Sequence, residues 1–431
     1  MTLNNNNQKA VQNLVAERVS NLQDDVWTIF SKVSNKYQTI NLGQGFMSFP
    51  APDFVKEALC TAVKKDLNQY APIRGTPRLR NALAKSYSPI LNRELNPETE
   101  IIATTGANEG IYSVLAAFIN QGDEAIFIEP YFDQYLPNLK MNGGVPIYCP
   151  LRLEKNVDFN SKIPASSWKL DLKELESKIT PKTKMIIVNT PYNPVGKVFT
   201  EQELLQIGDL AERHNLLILS DEVYDRLYYS PSKHVPIASL KNFWERTITV
   251  GSAGKTFGVT GWRLGWLIGP DHLIKYALAA HARICFCTST PIQEAIADSF
   301  EQAETNNFFN KQIEEYDERR EYLMKALDKL KLSYVIPEGS YFILINTDKI
   351  SIPTESWEDA PEEIKARGNN YQMCYWLCKN IGITAIPCSE FYSEDNAPIA
   401  ANLIRFAFCK SLDVLEQAVE RLQKLKLYIK E

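Results

Sequence analysis

Seven short apolar runs between residues 100 and 270, most of them separated by segments of helical length and period, constrain this chain more than any other feature. They are IIATT (101–105), AIFIE (125–129), VPIYC (145–149), MIIVN (185–189), LLILS (216–220), TITVG (247–251) and LGWLI (264–268). A continuous apolar run of this length fits a strand buried on both faces, and amphipathic segments such as ANEGIYSVLAAFI and EQELLQIGDLAERHN fit the helices that would cover it. The pattern predicts an α/β architecture with a seven-stranded, mainly parallel sheet. After about residue 310 longer helical stretches carry isolated strands at YFILI (341–345) and LIRFAF (403–408), and the chain ends in the 3.6-period helix LDVLEQAVERLQKLKLYI. A smaller α+β domain is expected there. The insert 349–370, rich in acidic residues and prolines, reads as a loop with one short helix.

Composition narrows the chemistry. With 52 acidic against 47 basic side chains, the net charge of −5 offers no footprint for nucleic acid or an anionic membrane. No run approaches the roughly 18 apolar residues of a spanning helix, and the start MTLNNNNQKAVQNLVAERVS lacks both a signal core and the Arg- and Ser-rich character of a transit peptide. The eight cysteines contain no C-x-x-C pair, so reduced thiols and a cytoplasmic location are expected, with a mitochondrial fraction left open. Four scattered histidines without H-E-x-x-H give no zinc motif, and no metal is expected. In NLGQGF, Ser48 stands where a dinucleotide fingerprint needs its third glycine.

Ligands of open α/β sheets gather at the carboxyl ends of the strands. Four ends carry suitable groups: TGAN (105–108), NTPYNPVG (189–196), DEVY (221–224) and GSAGKT (251–256). Lys255 follows four small residues at such an end, where burial would lower its pKa and make it a nucleophile; a surface lysine is the bland alternative. A P-loop is excluded because Thr249 occupies its first glycine position. Asp221 ends an apolar run, costly for a carboxylate unless a cation such as a pyridinium waits there; a helix cap is the alternative. Asn193 sits in a rigid Pro- and Gly-bearing turn that either aims its amide or merely punctuates the chain. Arg405 interrupts an apolar strand and suits a carboxylate ligand or a structural salt bridge. Arg263 could add charge at an anion site, and Phe132 either stacks on a flat ring or belongs to the core.

Together SAGKTFGVTGWRLGW, NTPYNPVG, DEVY and PEGSYF resemble the class I pyridoxal-phosphate aminotransferases of fold type I. NLGQGFMSFPAP, NQYAPIRG, EPYFDQY, GSAGKTF, AIPCSEFY and IRFAFCK resemble the subgroup with kynurenine aminotransferase and glutamine transaminase K, and within it the fungal kynurenine aminotransferases; the likeness spans about residues 22–430. The resemblance implies pyridoxal 5′-phosphate held by Lys255, which also shuttles the substrate proton, with Asp221 on the pyridine nitrogen. It places Asn193 and Tyr224 on the phenolic oxygen, Phe132 on the ring face, and Ala107, Asn108, Ser252 and Arg263 on the phosphate. Arg405, Asn193 and Gly43 would hold the substrate carboxylate beside Trp27. Tyr70, reaching the phosphate, and Phe286, lining the pocket, would come from the partner of a homodimer with shared active sites. Cys287 and Asn108 depart from residues found in some relatives. The implied division is an arm at 1–20, a segment at 21–55 packing on the small domain, a large domain at 56–310 and a small one at 311–431. The implied reaction moves the amino group of kynurenine, glutamine or another aromatic or apolar amino acid to a 2-oxo acid. Its alternatives are cysteine S-conjugate β-elimination and a non-catalytic ligand sensor.

Overall fold

All seven apolar runs form strands of one sheet in the computed structural model, which describes residues 14–20, 25–155, 157–353 and 357–430. The order across the sheet is Ile101–Thr104, Gly265–Ile268, Thr247–Ser252, Leu217–Asp221, Thr183–Asn189, Glu124–Glu129, Val145–Leu153 and Trp168–Leu170. Gly265–Ile268 runs antiparallel to both neighbours, and the four inner pairings from Thr247–Ser252 to Val145–Leu153 are parallel. The eighth strand was not expected. Trp168–Leu170 has only three residues and pairs antiparallel with the far end of Val145–Leu153, too short a segment to carry a period.

The helices form where an apolar stripe meets a start signal. Glu201–Arg213 opens with a reciprocal Thr200–Glu203 capping box and buries Leu204, Ile207, Leu210 and Ala211 along one face. Such a cap contributes about 1 kcal/mol, while the buried stripe fixes which side meets the sheet.

A second sheet has the order Ile386–Pro387, Leu403–Ala407, Phe342–Asn346, Ser333–Ile336 and Ile163–Pro164. Its last strand comes from the middle of the chain, so the carboxyl-terminal part is stitched to the large sheet. Arg405 lies at its centre, opposite Leu344 on one side and Ile386 on the other. Ile40–Asn41 pairs in parallel with Ile383–Thr384 in a separate two-stranded sheet, and the residues that follow reach Lys255, whose Nζ donates to the Gly45 carbonyl.

The carboxyl-terminal helix is shorter than its periodicity suggests. Leu412–Leu422 is α-helical, and Gln423–Leu427 tightens into a 3₁₀ turn, a common way for a helix to end. Of the amino-terminal arm, residues 1–13 lie outside the described residues, and Glu17–Ser20 forms one helical turn. In the 349–370 insert, residues 354–356 lie outside them; the rest holds the short helix Glu362–Lys365 and the start of Asn369–Trp376. No helix among the described residues is long and apolar enough to cross a membrane.

Candidate active site

Three adjacent parallel strands, Thr183–Asn189, Leu217–Asp221 and Thr247–Ser252, end at the same edge, so the residues that follow them meet. Asn193, Asp221, Tyr224, Ser252 and Lys255 line one cavity with Ala107, Asn108, Phe132 and Arg263. An adjoining cavity shares Asn108, Phe132, Asn193, Tyr224, Lys255 and Arg263 and adds Trp27, Phe46, Phe342 and Arg405.

Lys255 sits on the single turn Ala253–Thr256 that follows its strand. Its Nζ donates to the Tyr341 hydroxyl at 2.9 Å and to the Gly45 carbonyl at 3.3 Å, and neither partner is an acid. Burial lowers its pKa from 10.5 to about 8. The bland surface-lysine alternative therefore does not hold. Since burial disfavours the ammonium form, the neutral amine accumulates as pH rises through about 8 and is complete above it. Acylation of Lys255 by a small anhydride in cofactor-free protein should follow that curve. At pH 7 the downward shift makes the neutral fraction roughly 300-fold larger than for an ordinary lysine, and a midpoint near 10.5 would contradict the burial.

Asp221 is 5% exposed. One carboxylate oxygen accepts from the buried Tyr135 hydroxyl and the other from the Val223 amide at 3.4 Å. Burial raises its pKa to about 6, while these two donors and the Lys255 charge oppose the rise. No α-helix begins behind it, so the helix-cap alternative fails. The carboxylate is placed to hold a cationic ring nitrogen, which would supply the charge that burial leaves missing.

Asn193 is fixed at both ends. Its backbone N–H donates to Asn189 Oδ1 at 2.8 Å, the Asn189 side chain in turn donates to the Asp221 carbonyl at 2.9 Å, and Asn193 Oδ1 accepts from Arg405 Nη1 at 2.8 Å. The turn therefore aims this side chain. Tyr224, 4% exposed, stands edge-on to Tyr341 and Phe342, and burial raises its hydroxyl well above the ordinary value.

At the other end of the first cavity lies an anion cradle. The helix Ala107–Phe118 begins there, and its first-turn amides have no partner within the helix. Gly106 precedes it at φ +79°, and a Cβ there would stand 2.5 Å from Arg263 Nη2, so glycine admits the guanidinium to the helix start. Ser252 stands at the start of the neighbouring turn with its side chain uncommitted to capping, and the half-buried Phe132 walls both cavities. An anion cradle, an aromatic wall, a carboxylate and an amine within one cavity fit a phosphorylated pyridine aldehyde.

Arg405 is 1% exposed and has no carboxylate within ion-pair distance among the described residues, which removes the structural salt-bridge alternative. Nη2 donates to the Gly43 carbonyl at 2.7 Å, while the buried Nε has no partner. Phe342, Phe391 and Trp27 surround the guanidinium at 4.1, 5.0 and 5.1 Å. Trp27 is held by Nε1 donating to Asp133 at 2.9 Å. A buried cation flanked by rings and opening on a cavity is made for an acid with an apolar side chain.

Two expected residues stand apart. Tyr70, 85% exposed, and Phe286, 49% exposed at φ +68°, touch edge-on at 5.4 Å and line neither cavity of this chain. Three residues of the site escaped sequence reasoning: Tyr135, Asn189 and Tyr341. Each lies inside a quoted motif, EPYFDQY, NTPYNPVG or PEGSYF, and motif membership was the only available signal.

A family model described as aminotransferase class I and II matches residues 37–422. The chain is 43% identical to the probable kynurenine–oxoglutarate transaminase BNA3 of Saccharomyces cerevisiae, over 95% of this chain and 94% of that one. It is 36% identical to human kynurenine–oxoglutarate transaminase 1, over 96% and 99% of the two chains. The crystal structure of Bna3p, a putative kynurenine aminotransferase from Saccharomyces cerevisiae, superposes with a TM-score of 0.92, covering 96% of this chain and 99% of that one.

Proposed function

From the premise that the chain belongs to the class I and II aminotransferases, pyridoxal-phosphate enzymes that act on amino and 2-oxo acids, we propose that it is a kynurenine–oxoglutarate transaminase. The names of its relatives support this donor and acceptor. The observation that carries it is Arg405, a buried cation without an ion pair among the described residues, facing the cavity of Lys255 and ringed by Trp27, Phe342 and Phe391.

When bound, pyridoxal phosphate would supply a carrier for the amino group and a ring able to take up electrons from the substrate Cα–H bond. Asp221 holds a proton on the ring nitrogen, which makes the ring the stronger electron sink. Lys255 would hold the cofactor and move the proton from the substrate Cα. Asn193 and Tyr224 would serve the phenolic oxygen, the Ala107 and Asn108 amides with Ser252 and Arg263 would hold the phosphate, and Phe132 would wall the ring. Arg405 forks the α-carboxylate, supported by Asn193 and Gly43, while Trp27 lines the side-chain space.

The same reading includes a homodimer. The exposed aromatic pair Tyr70 and Phe286 supports it, since both would be covered on reaching a partner's cavity. A cytoplasmic location is supported by eight unpaired thiols.

The test is a panel of amino donors and oxo acids with the purified protein. Kynurenine should transfer its amino group to 2-oxoglutarate, and kynurenine, phenylalanine or glutamine should outperform aspartate as donor, because the side-chain space around Arg405 is aromatic. A large preference for aspartate would refute the pocket reading, and pyruvate with ammonia from cysteine S-conjugates as the main products would replace transfer by elimination.

A further inference from the structure

We propose that Tyr341, acting with the Gly45 carbonyl, sets the direction in which Lys255 presents its lone pair, and so is a positioning residue for the bond and proton that this amine handles. The inference rests on Lys255 being the residue that takes the cofactor.

A neutral amine has two N–H bonds and one lone pair around nitrogen besides its carbon. Tyr341 gives its only proton to the Gly45 carbonyl at 2.9 Å, so toward Nζ it accepts. Gly45 O accepts as well, from Nζ at 3.3 Å and from the tyrosine. The two acceptors lie only 2.9 Å from each other, so they draw the N–H bonds to one side of the nitrogen. The remaining vertex, the lone pair, faces the cavity that Lys255 lines.

The two acceptors are held in place. Tyr341 is fully buried, nearly parallel to Tyr316 at 6.0 Å and in contact with Phe342 at 4.7 Å. Position 45 admits only glycine without displacement: a Cβ there would stand 2.9 Å from Phe342 Cζ and 3.0 Å from Tyr341 Cε2. On either side of it, the carbonyls of Gln44 and Phe46 accept from the buried Lys410 Nζ at 3.1 and 2.6 Å. Lys410 thus clamps the segment that presents the Gly45 oxygen.

The experiment mixes cofactor-free protein with pyridoxal phosphate in a stopped-flow instrument and follows capture by Lys255. In that step the bond from Nζ to the aldehyde carbon forms, and the aldehyde oxygen leaves as water with the two amine protons. Pyridoxine 5′-phosphate, whose alcohol cannot condense with an amine, reports how well the cavity itself fits. Tyr341→Phe keeps the ring and removes the acceptor. It should bind pyridoxine 5′-phosphate within about twofold of wild type yet capture pyridoxal phosphate roughly tenfold more slowly, because orientation and not affinity is lost. In turnover, kcat should fall about 10- to 100-fold at nearly constant KM, and the isotope effect from Cα-deuterated donor should rise as proton transfer becomes limiting. Gly45→Ala, whose Cβ would crowd both the Phe342 and the Tyr341 rings, should also slow capture. Unchanged capture and isotope effect in Tyr341→Phe would overturn the proposal, and so would an equal loss of pyridoxine 5′-phosphate affinity, which would reduce Tyr341 to packing. Capture by wild type at another lysine would instead refute the premise about Lys255.

Discussion

Replacing Lys255 with alanine is expected to lower kcat by roughly 10⁴- to 10⁶-fold, the loss that follows when one group serves as both nucleophile and acid–base catalyst. The cofactor should stay bound without a covalent link, since the anion cradle at Gly106–Asn108, Arg263 and Ser252 and the Phe132 wall are untouched. The fold should survive too. Lys255 makes no ion pair among the described residues, its hydrogen-bond partners are a carbonyl and a hydroxyl, and an alanine on the turn Ala253–Thr256 suits a helix. Absorbance titration with pyridoxal phosphate, thermal unfolding and transaminase assay separate these statements. Turnover within tenfold of wild type would remove Lys255 from the chemistry.

Asp221→Ala should cost roughly 10³-fold in kcat, as expected when the charge facing a developing ionic state is deleted from a site with little water. Asp221→Asn is the sharper variant because it keeps the shape and the Val223 contact but loses the charge. The sign of the pH dependence follows from the direction of the shift. In cofactor-free protein the Asp221 carboxyl is neutral below about 6 and charged above it, so affinity for the protonated ring should weaken as pH falls through that value. Removal of an exposed acid such as Glu57 should leave kcat unchanged. Near-normal turnover in both Asp221 variants would refute the pairing with the ring nitrogen.

How much of this was legible before folding depends on whether a residue acts through its local setting or through distant contacts. Most of the strands were legible because burial on both faces gives a continuous apolar run; Ile101–Thr104 and Thr247–Ser252 are buried throughout. Trp168–Leu170 escaped because only Trp168 of its three residues is buried, and its pairing is an antiparallel return onto the end of a long strand. Asp221 and Lys255 were legible for the opposite reason, as charged side chains at the ends of apolar runs where a charge needs a purpose. Arg405 was visible as an intruder in a strand, but sequence could not say that its neighbours would be rings and not acids. Tyr135, Asn189 and Tyr341 act through hydrogen bonds to residues 86, 32 and 86 positions away. Local pattern holds no trace of such pairings, and a buried tyrosine reads like any core aromatic.

Two other lysines are withdrawn from water, and they make the attachment site a choice that can be checked. Lys197 is spent on Glu203 at 2.8 Å, and Lys410 on the Gln44 and Phe46 carbonyls. Neither lines the cavity of Asp221, whereas Lys255 does. Borohydride reduction of the enzyme loaded with pyridoxal phosphate, followed by proteolysis and mass mapping, therefore reads the central claim directly. The phosphopyridoxyl group should appear on Lys255 at one per chain; its recovery on Lys197, Lys410 or any other lysine, with Lys255 unmodified, would contradict the site described here.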